Sequence, residues 1–242
     1  MKNVIYLLFL FLNTAMLFGQ WSSDPAVNTR VTHGGLLPQM ISDGSGGAFI
    51  VYQDSPALLR QIWVQRLDRY GYVRFPDNGI RVSSEERNQT PYYFLVSDSA
   101  GGVIIVFVDF QKREGKTFSA IYAQRIDSSG AKYWPEAGIE VSPPAEAKAP
   151  VSACSDGQSG VFVFWSEDAD SNGVFELRAQ RVSAEGELLW TQEGITITNE
   201  FTSFNWPMPA TAVSSLSSSA IVLYSDSTGT KHQRVSAEGE LL

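Results

Sequence analysis

Five-residue apolar runs recur along the chain: Ala48–Tyr52, Val103–Phe107, Val161–Trp165 and Ala220–Tyr224. They are rich in β-branched and aromatic types and bounded by Gly, Asp and Ser, a pattern that predicts buried β-strands. A small-residue turn precedes each: Asp43-Gly-Ser-Gly-Gly47, Asp98-Ser-Ala-Gly-Gly102, Asp156-Gly-Gln-Ser-Gly160 and, in the fourth place, Ser217-Ser-Ser219. Asp-Gly and Gly-Gly supply the positive φ that tight hairpins need. An alternating segment with a shared Gln-Arg pair follows each run, at Ile62–Asp68, Ile121–Asp127, Leu177–Ser183 and Lys231–Ser236. In the second copy Ile121, Ala123 and Arg125 take one face and Tyr122, Gln124 and Ile126 the other. Period two is strand geometry.

The Gln-Arg pairs begin at 65, 124, 180 and 233, in steps of 59, 56 and 53 residues. Self-similarity at that period marks a repeat architecture. The units run over about 38–90, 91–149, 150–206 and 207–242, opened by Pro38, Pro91, Pro150 and Pro207. Closing strands follow the aromatics Phe75, Trp134 and Trp190, at Gly79–Val82, Gly138–Val141 and Gly194–Ile197. Each unit thus predicts about four antiparallel strands, and four-stranded blades repeated radially make an all-β propeller. Trp21–Val31 matches the end of a unit and predicts a spare closing strand. Two arrangements fit. This strand completes the fourth unit and closes a four-bladed ring, or the chain is a fragment of a larger propeller. Gln180–Leu189 and Gln233–Leu242 are the same ten residues, which points to recent duplication of a unit.

Residues 1–19 read as a signal peptide, with Lys2 before the apolar Val4–Leu12. That apolar core is too short for a comfortable membrane span, and no other stretch is long enough, so no transmembrane segment is expected in a mature chain of residues 20–242. The expected location is secreted, periplasmic or on the cell surface. The formal charge of −8 comes without any Lys/Arg cluster, so nucleic acid is not an expected partner. A monomer is expected. Cys154, the single cysteine, reads as a buried structural thiol.

Comparison among the units separates what each blade needs from what occurs once. Arg66, Arg125, Arg181 and Arg234 recur, as do the acids Asp54, Asp109, Glu167 and Asp226, two positions past each apolar run. The expectation is a structural Arg–carboxylate pair, with the guanidinium also satisfying carbonyls. Gln65, Gln124, Gln180 and Gln233 are expected to bond backbone. Among the unique stretches, Asp168, Asp170 and Asn172 fit the first half of a calcium loop of the Asp-x-Asp-x-Asn-Gly kind. Glu is missing from its twelfth position, so any calcium site would be weak, and a solvated acidic hairpin tip is the competing reading. No other cofactor is indicated. Phe201, Phe204, Trp206, Tyr92 and Tyr93 are candidate ligand-stacking aromatics, with packing between blades as their other use.

The pattern DGxGG, apolar run, aromatic-x-acid, then (Ile/Leu)-Tyr-Ala-Gln-Arg-hydrophobic-Asp-x-x-Gly and Trp resembles secreted bacterial β-propeller repeat proteins, loosely the BNR or sialidase-like propellers. The sialidase aspartate box, Ser-x-Asp-x-Gly-x-Thr-Trp, is absent from every unit. Motifs for a serine nucleophile, zinc, phosphate loops or dinucleotides are also absent. The expectation is a binding or scaffold module that takes a protein or glycan at the cell surface through loops on one face. The alternatives are an extracellular glycan hydrolase with carboxylates in the central channel and a purely structural array.

Overall fold

The computed structural model describes residues 21–22, 24, 26–54, 60–83, 88–113, 115–146, 148–168, 174–201, 210–215 and 218–242. Residues 1–19 lie outside them. The described chain is all-β. The first sheet is a meander of β1 (Leu36–Ser42), β2 (Ala48–Asp54), β3 (Gln61–Leu67) and β4 (Ile80–Arg81). The second contains β5 (Asn88–Ser97), β6 (Val103–Arg113), β7 (Lys116–Ile126) and β8 (Ile139–Ala145). The third has β9 (Lys148–Ser155), β10 (Val161–Glu167), β11 (Phe175–Val182) and β12 (Ile195–Phe201). The fourth has three described strands, β13 (Ala210–Ser215), β14 (Ser219–Asp226) and β15 (Gly229–Val235). All pairings are antiparallel between sequence neighbours.

The sheets follow one another as the blades of a β-propeller, with the first strands β1, β5, β9 and β13 adjacent in succession. Alternation decides the packing. In β2, Phe49 and Val51 point to one side and meet Val103, Ile105 and Phe107 of β6 in a core between the first and second sheets. Ile104, Val106 and Val108 point the other way and meet Val161, Val163 and Trp165 of the third sheet. Phe162 and Phe164 then meet Ala220, Val222 and Tyr224 of the fourth. Cys154 is buried in this last core, and burial pushes its thiol pKa up to about 12, in keeping with an inert packing role.

Polar side chains lock each hairpin. Asp43 Oδ1 accepts the amides of Ser45 and Gly47, both at 2.8 Å, and its Oδ2 accepts Arg66 Nη2 at 2.7 Å. Asp98 with Arg125 and Asp156 with Arg181 repeat the arrangement. Each arginine also donates across to the next sheet, to the carbonyls of Ser128, Ala184 and Ala237. The expected Arg–carboxylate pair therefore exists, but its acid is the turn aspartate and not Asp54, Asp109 or Glu167. Those three lie far along the second strands, away from the turns, with Asp54 and Glu167 at the strand ends. The glutamines bond backbone as expected: Gln65 Nε2 donates to the Pro76 carbonyl at 2.9 Å while its Oε1 accepts the amides of Arg66 and Phe75.

The aromatic of one unit packs on the turn glycine of the next. A Cβ at Gly186 would lie 2.8 Å from Trp134, and one at Gly239 would lie 3.1 Å from Trp190. Trp21 occupies the same kind of place on Gly71, its indole donating to the Arg69 carbonyl at 3.1 Å. This corrects the expectation of a closing strand at Trp21–Val31. The described residues of that segment form no strand, and Trp21 docks on the first sheet instead of completing the fourth.

The Asp43 turn sets an acid limit. Burial pushes its carboxyl pKa up, but the Ser45 and Gly47 amides and Arg66 outweigh this and hold it at about 2, below the ordinary 3.8. A carboxylate depressed in the fold stabilises it above the unfolded value and loses that contribution as pH falls through the folded one. Denaturant midpoints measured from pH 5 to pH 2 are expected to fall for the wild type and to fall less for Asp43→Asn. Parallel curves would remove Asp43 as the cause.

Candidate functional site

The edge opposite the turns is where the units stop resembling one another. Asp54, Glu167 and Asp226 close the second strands there, and Asp109 lies four residues before the end of β6. Their neighbours differ from unit to unit. The position two before each Gln is Trp63, Tyr122, Arg178 and Lys231 in turn.

In the third sheet this edge carries a charged row. Lys148 begins β9 and lies opposite Glu167 at the end of β10, which in turn lies opposite Glu176 on β11. Lys148 Nζ is 2.7 Å from Glu167 Oε2, and it also donates to Ser142 Oγ at 3.2 Å and the Pro143 carbonyl at 2.6 Å. Arg178 Nε is shared between Glu167 Oε1 at 3.0 Å and Glu176 Oε2 at 2.7 Å. Trp165 Nε1 donates to Glu167 Oε2 at 3.1 Å, and Lys148 Nζ stands 5.7 Å from the Trp165 ring centroid.

Two carboxylates directly across a strand pair repel each other, and two cations beside them cancel the repulsion. Burial lowers the pKa of Lys148, while the hydrogen bond and charge of Glu167 work to raise it. Lys148 and Glu167 are buried, whereas the side chains of Arg178 and Glu176 are 20% and 27% exposed, so the row runs from the interior to the surface. Chemically it offers a guanidinium and a carboxylate to a ligand, over a fixed buried ion pair.

The other units fill the same edge differently. In the fourth sheet Lys231 pairs with Asp226, whose pKa is held at about 2 by that lysine first and by Thr228. In the second, Tyr122 donates to Glu140 Oε2 at 2.7 Å. In the first, Trp63 Nε1 is buried with no hydrogen-bond partner among the described residues.

Two candidate aromatics prove to be packing residues. Phe201 is buried in the core between the third and fourth sheets. Tyr93 is buried between the first and second, donating to the carbonyls of Leu37 and of Val51, the latter at 3.1 Å. Both are corrections with one cause: alternation along a strand turns these rings inward. Burial pushes the Tyr93 hydroxyl pKa up to about 12. Tyr92, its neighbour, is exposed. Phe204, Trp206, Asp170 and Asn172 lie outside the described residues, and Asp168, half-buried, is the one described member of the calcium loop. Among the described residues no three His, Cys, Asp or Glu side chains are grouped to hold a metal ion. No described helix is long and apolar enough to cross a membrane. Sequence reasoning missed Lys148, Glu176 and Arg178. The available signal was that these types occur at their positions in the third unit only.

Neither protein-family models nor curated proteins gave a match to the sequence. Among solved structures, an endo-arabinase from Bacteroides thetaiotaomicron is similar at 14% identity and a TM-score of 0.39, over 96% of this chain and 76% of that one. An arabinanase from Bacillus subtilis is similar at 16% identity and a TM-score of 0.40, over 81% and 72%. A Cellvibrio cellulosa α-L-arabinanase complexed with arabinohexaose is similar at 12% identity and a TM-score of 0.39, over 84% and 75%. None of these three is a sialidase, so they lend nothing to the narrower sialidase-like resemblance.

Proposed function

We propose that the chain is an extracellular, glycan-directed propeller whose ligand meets the sheet edge bearing Lys148, Glu167, Glu176 and Arg178. The observation that supports this reading is the row itself, built in one unit only. A blade-forming interaction recurs from blade to blade, as the Asp43, Asp98 and Asp156 turns do in three of the four units. A binding group is needed once. Planar guanidinium and carboxylate groups offer paired donors and acceptors to adjacent sugar hydroxyls, and the buried Lys148–Glu167 pair would hold Arg178 in place for that contact.

A second reading, hydrolysis, rests on one specific feature. Glu167 and Glu176 share a single guanidinium nitrogen, at 3.0 and 2.7 Å. Paired carboxylates are what glycoside cleavage uses, one of them as a proton donor. Ionic partners on both acids favour holding a sugar over protonating its leaving group.

The test is calorimetric titration with soluble arabinan, xylan and mannan beside an assay of reducing-sugar release. Binding of at least one polymer is expected, weakened about tenfold or more by Arg178→Ala, the scale of one lost charge-assisted contact. Release that stops on Glu167→Gln or on Glu176→Gln would replace binding by hydrolysis. A folded protein that takes up none of the polymers would end the glycan reading.

A further inference from the structure

Arg66, Arg125 and Arg181 hold the same place in three successive sheets, and each ties its turn aspartate through Nε. What meets the rest of each guanidinium differs. In the third sheet Gln158, two residues past the turn aspartate, brings its Oε1 to Arg181 Nη2 at 3.0 Å. In the second that position is Ala100, and Tyr133 covers the guanidinium instead, its ring centroid 4.3 Å from Arg125 Cζ. The first sheet has neither device. Ser45 stands where Gln158 does, and its hydroxyl helps to hold Asp43. Arg74 stands where Tyr133 does, with Nη1 3.7 Å from Asp68 Oδ2. Arg66 Nη2 gives one hydrogen to Asp43 Oδ2 at 2.7 Å, and Nη1 gives one to the Ser128 carbonyl at 2.9 Å. Among the described residues nothing accepts the second Nη2 hydrogen.

A cavity of about 400 Å³ opens at this arginine, between the turns of the first and second sheets. Ser45, Arg66, Ser97, Ser99 and Ser128 line it, and every side chain in its lining is polar. The volume lies within the roughly 300–1,000 Å³ of small-molecule sites. The cavity carries no net charge of its own, because the buried Asp43 carboxylate sits on Arg66 at 2.7 Å. With the Asp43 carboxyl at about 2, that pair is ionised at neutral pH. An anion here would meet the carboxylate as well as the guanidinium, whereas an uncharged oxygen takes the open N–H without that repulsion. Gln158 shows in the third sheet which acceptor fits, a neutral carbonyl oxygen. Serine hydroxyls around it can each donate and accept.

We infer that this cavity binds one neutral sugar residue, an oxygen of which accepts Arg66 Nη2 while Ser97, Ser99 and Ser128 bond its other hydroxyls. The site lies at the turn edge, away from the charged row of the third sheet, and it stands whether or not that row takes a glycan.

Titration of the isotope-labelled full chain, followed by its amide resonances, tests it. The probes are D-glucose, D-galactose, D-mannose, L-arabinose and inorganic phosphate. At least one sugar is expected to shift the amides of Ser45, Ser97 and Ser99 saturably, with a Kd on the order of a millimolar, the scale for about a dozen non-hydrogen atoms. Ser45→Gln copies the third sheet and fills the cavity from within, so it should weaken binding at least tenfold. Ser99→Gly should weaken it about fivefold, the scale of one neutral hydrogen bond. Ser99 lies at a φ of 59°, and glycine holds the matching position 157 in the third sheet, so both variants should melt near the wild type. Four sugars that leave these amides unmoved overturn the inference, as does phosphate binding more tightly than any of them. So does affinity unchanged in Ser45→Gln, or saturable shifts confined to Glu176 and Arg178, which would leave the charged row as the sugar site.

Discussion

Alanine in place of Asp156 is expected to lower the stability of the fold by about 3–5 kcal/mol, the range for removing one partner of a buried ion pair. The Asp156 side chain is 1% exposed and that of Arg181 is 9% exposed, with Nη2 2.9 Å from Oδ2. Removing the carboxylate leaves a buried guanidinium without its counter-charge. It also strips the acceptor from the amides of Gln158 and Gly160. The fourth sheet supplies an internal control. Its arginine, Arg234, meets Ser219 Oγ and is exposed, so Ser219→Ala should cost about 1 kcal/mol or less. Urea midpoints of the two variants decide the matter. Equal losses would mean that the carboxylate does not carry the turn.

The second large effect concerns the glycine that closes the same turn. A Cβ at Gly160 would lie 2.3 Å from the Val182 carbonyl oxygen and 2.6 Å from Asp156 Oδ2. Backbone oxygen cannot rotate away, so Gly160→Ala should cost at or above the top of the roughly 1–3 kcal/mol typical of overpacking. The fourth unit has already changed both positions. Ser215 stands where the aspartate stands elsewhere, and Ser219 where the glycine does. With the carboxylate gone there is room for a side chain, and the Ser219 hydroxyl takes over the arginine. Combining Asp156→Ser with Gly160→Ser should therefore cost less than the two single changes summed, by about 1 kcal/mol or more. Strict additivity in a double-mutant cycle would show that the two positions do not compensate each other.

These turns also show how far the sequence could be read. The strands were legible because alternation and five-residue apolar runs leave few other choices, and the step between Gln-Arg pairs identified the unit. The need of each arginine for a carboxylate was legible too. Its partner was misassigned because each unit offers two acids, and Asp54 is nearer to Arg66 in sequence than Asp43 is. Pairing in the hairpin settles it: Arg66 lies opposite Phe49, five residues from Asp54, or about 17 Å along a strand. Tyr93 and Phe201 failed as ligand residues for a similar reason, since aromatic content says nothing about which side of a strand faces a core. Lys148, Glu176 and Arg178 are 19, 9 and 11 residues from Glu167 and converge only through strand pairing.

Among the described residues three cores connect the sheets, first to second, second to third and third to fourth. The second and third sheets are each gripped on both faces, while the first and the fourth are each gripped by one core. In an array coupled only to nearest neighbours, local opening is graded by the number of neighbours held. Amides in β6 and β10 therefore exchange with solvent only on near-global unfolding, and those in β14 exchange through a cheaper opening that releases the fourth sheet alone. Among the described sheets opening therefore starts at the fourth, and whatever covers Ile221 and Leu223 also raises the protection of every amide in that sheet.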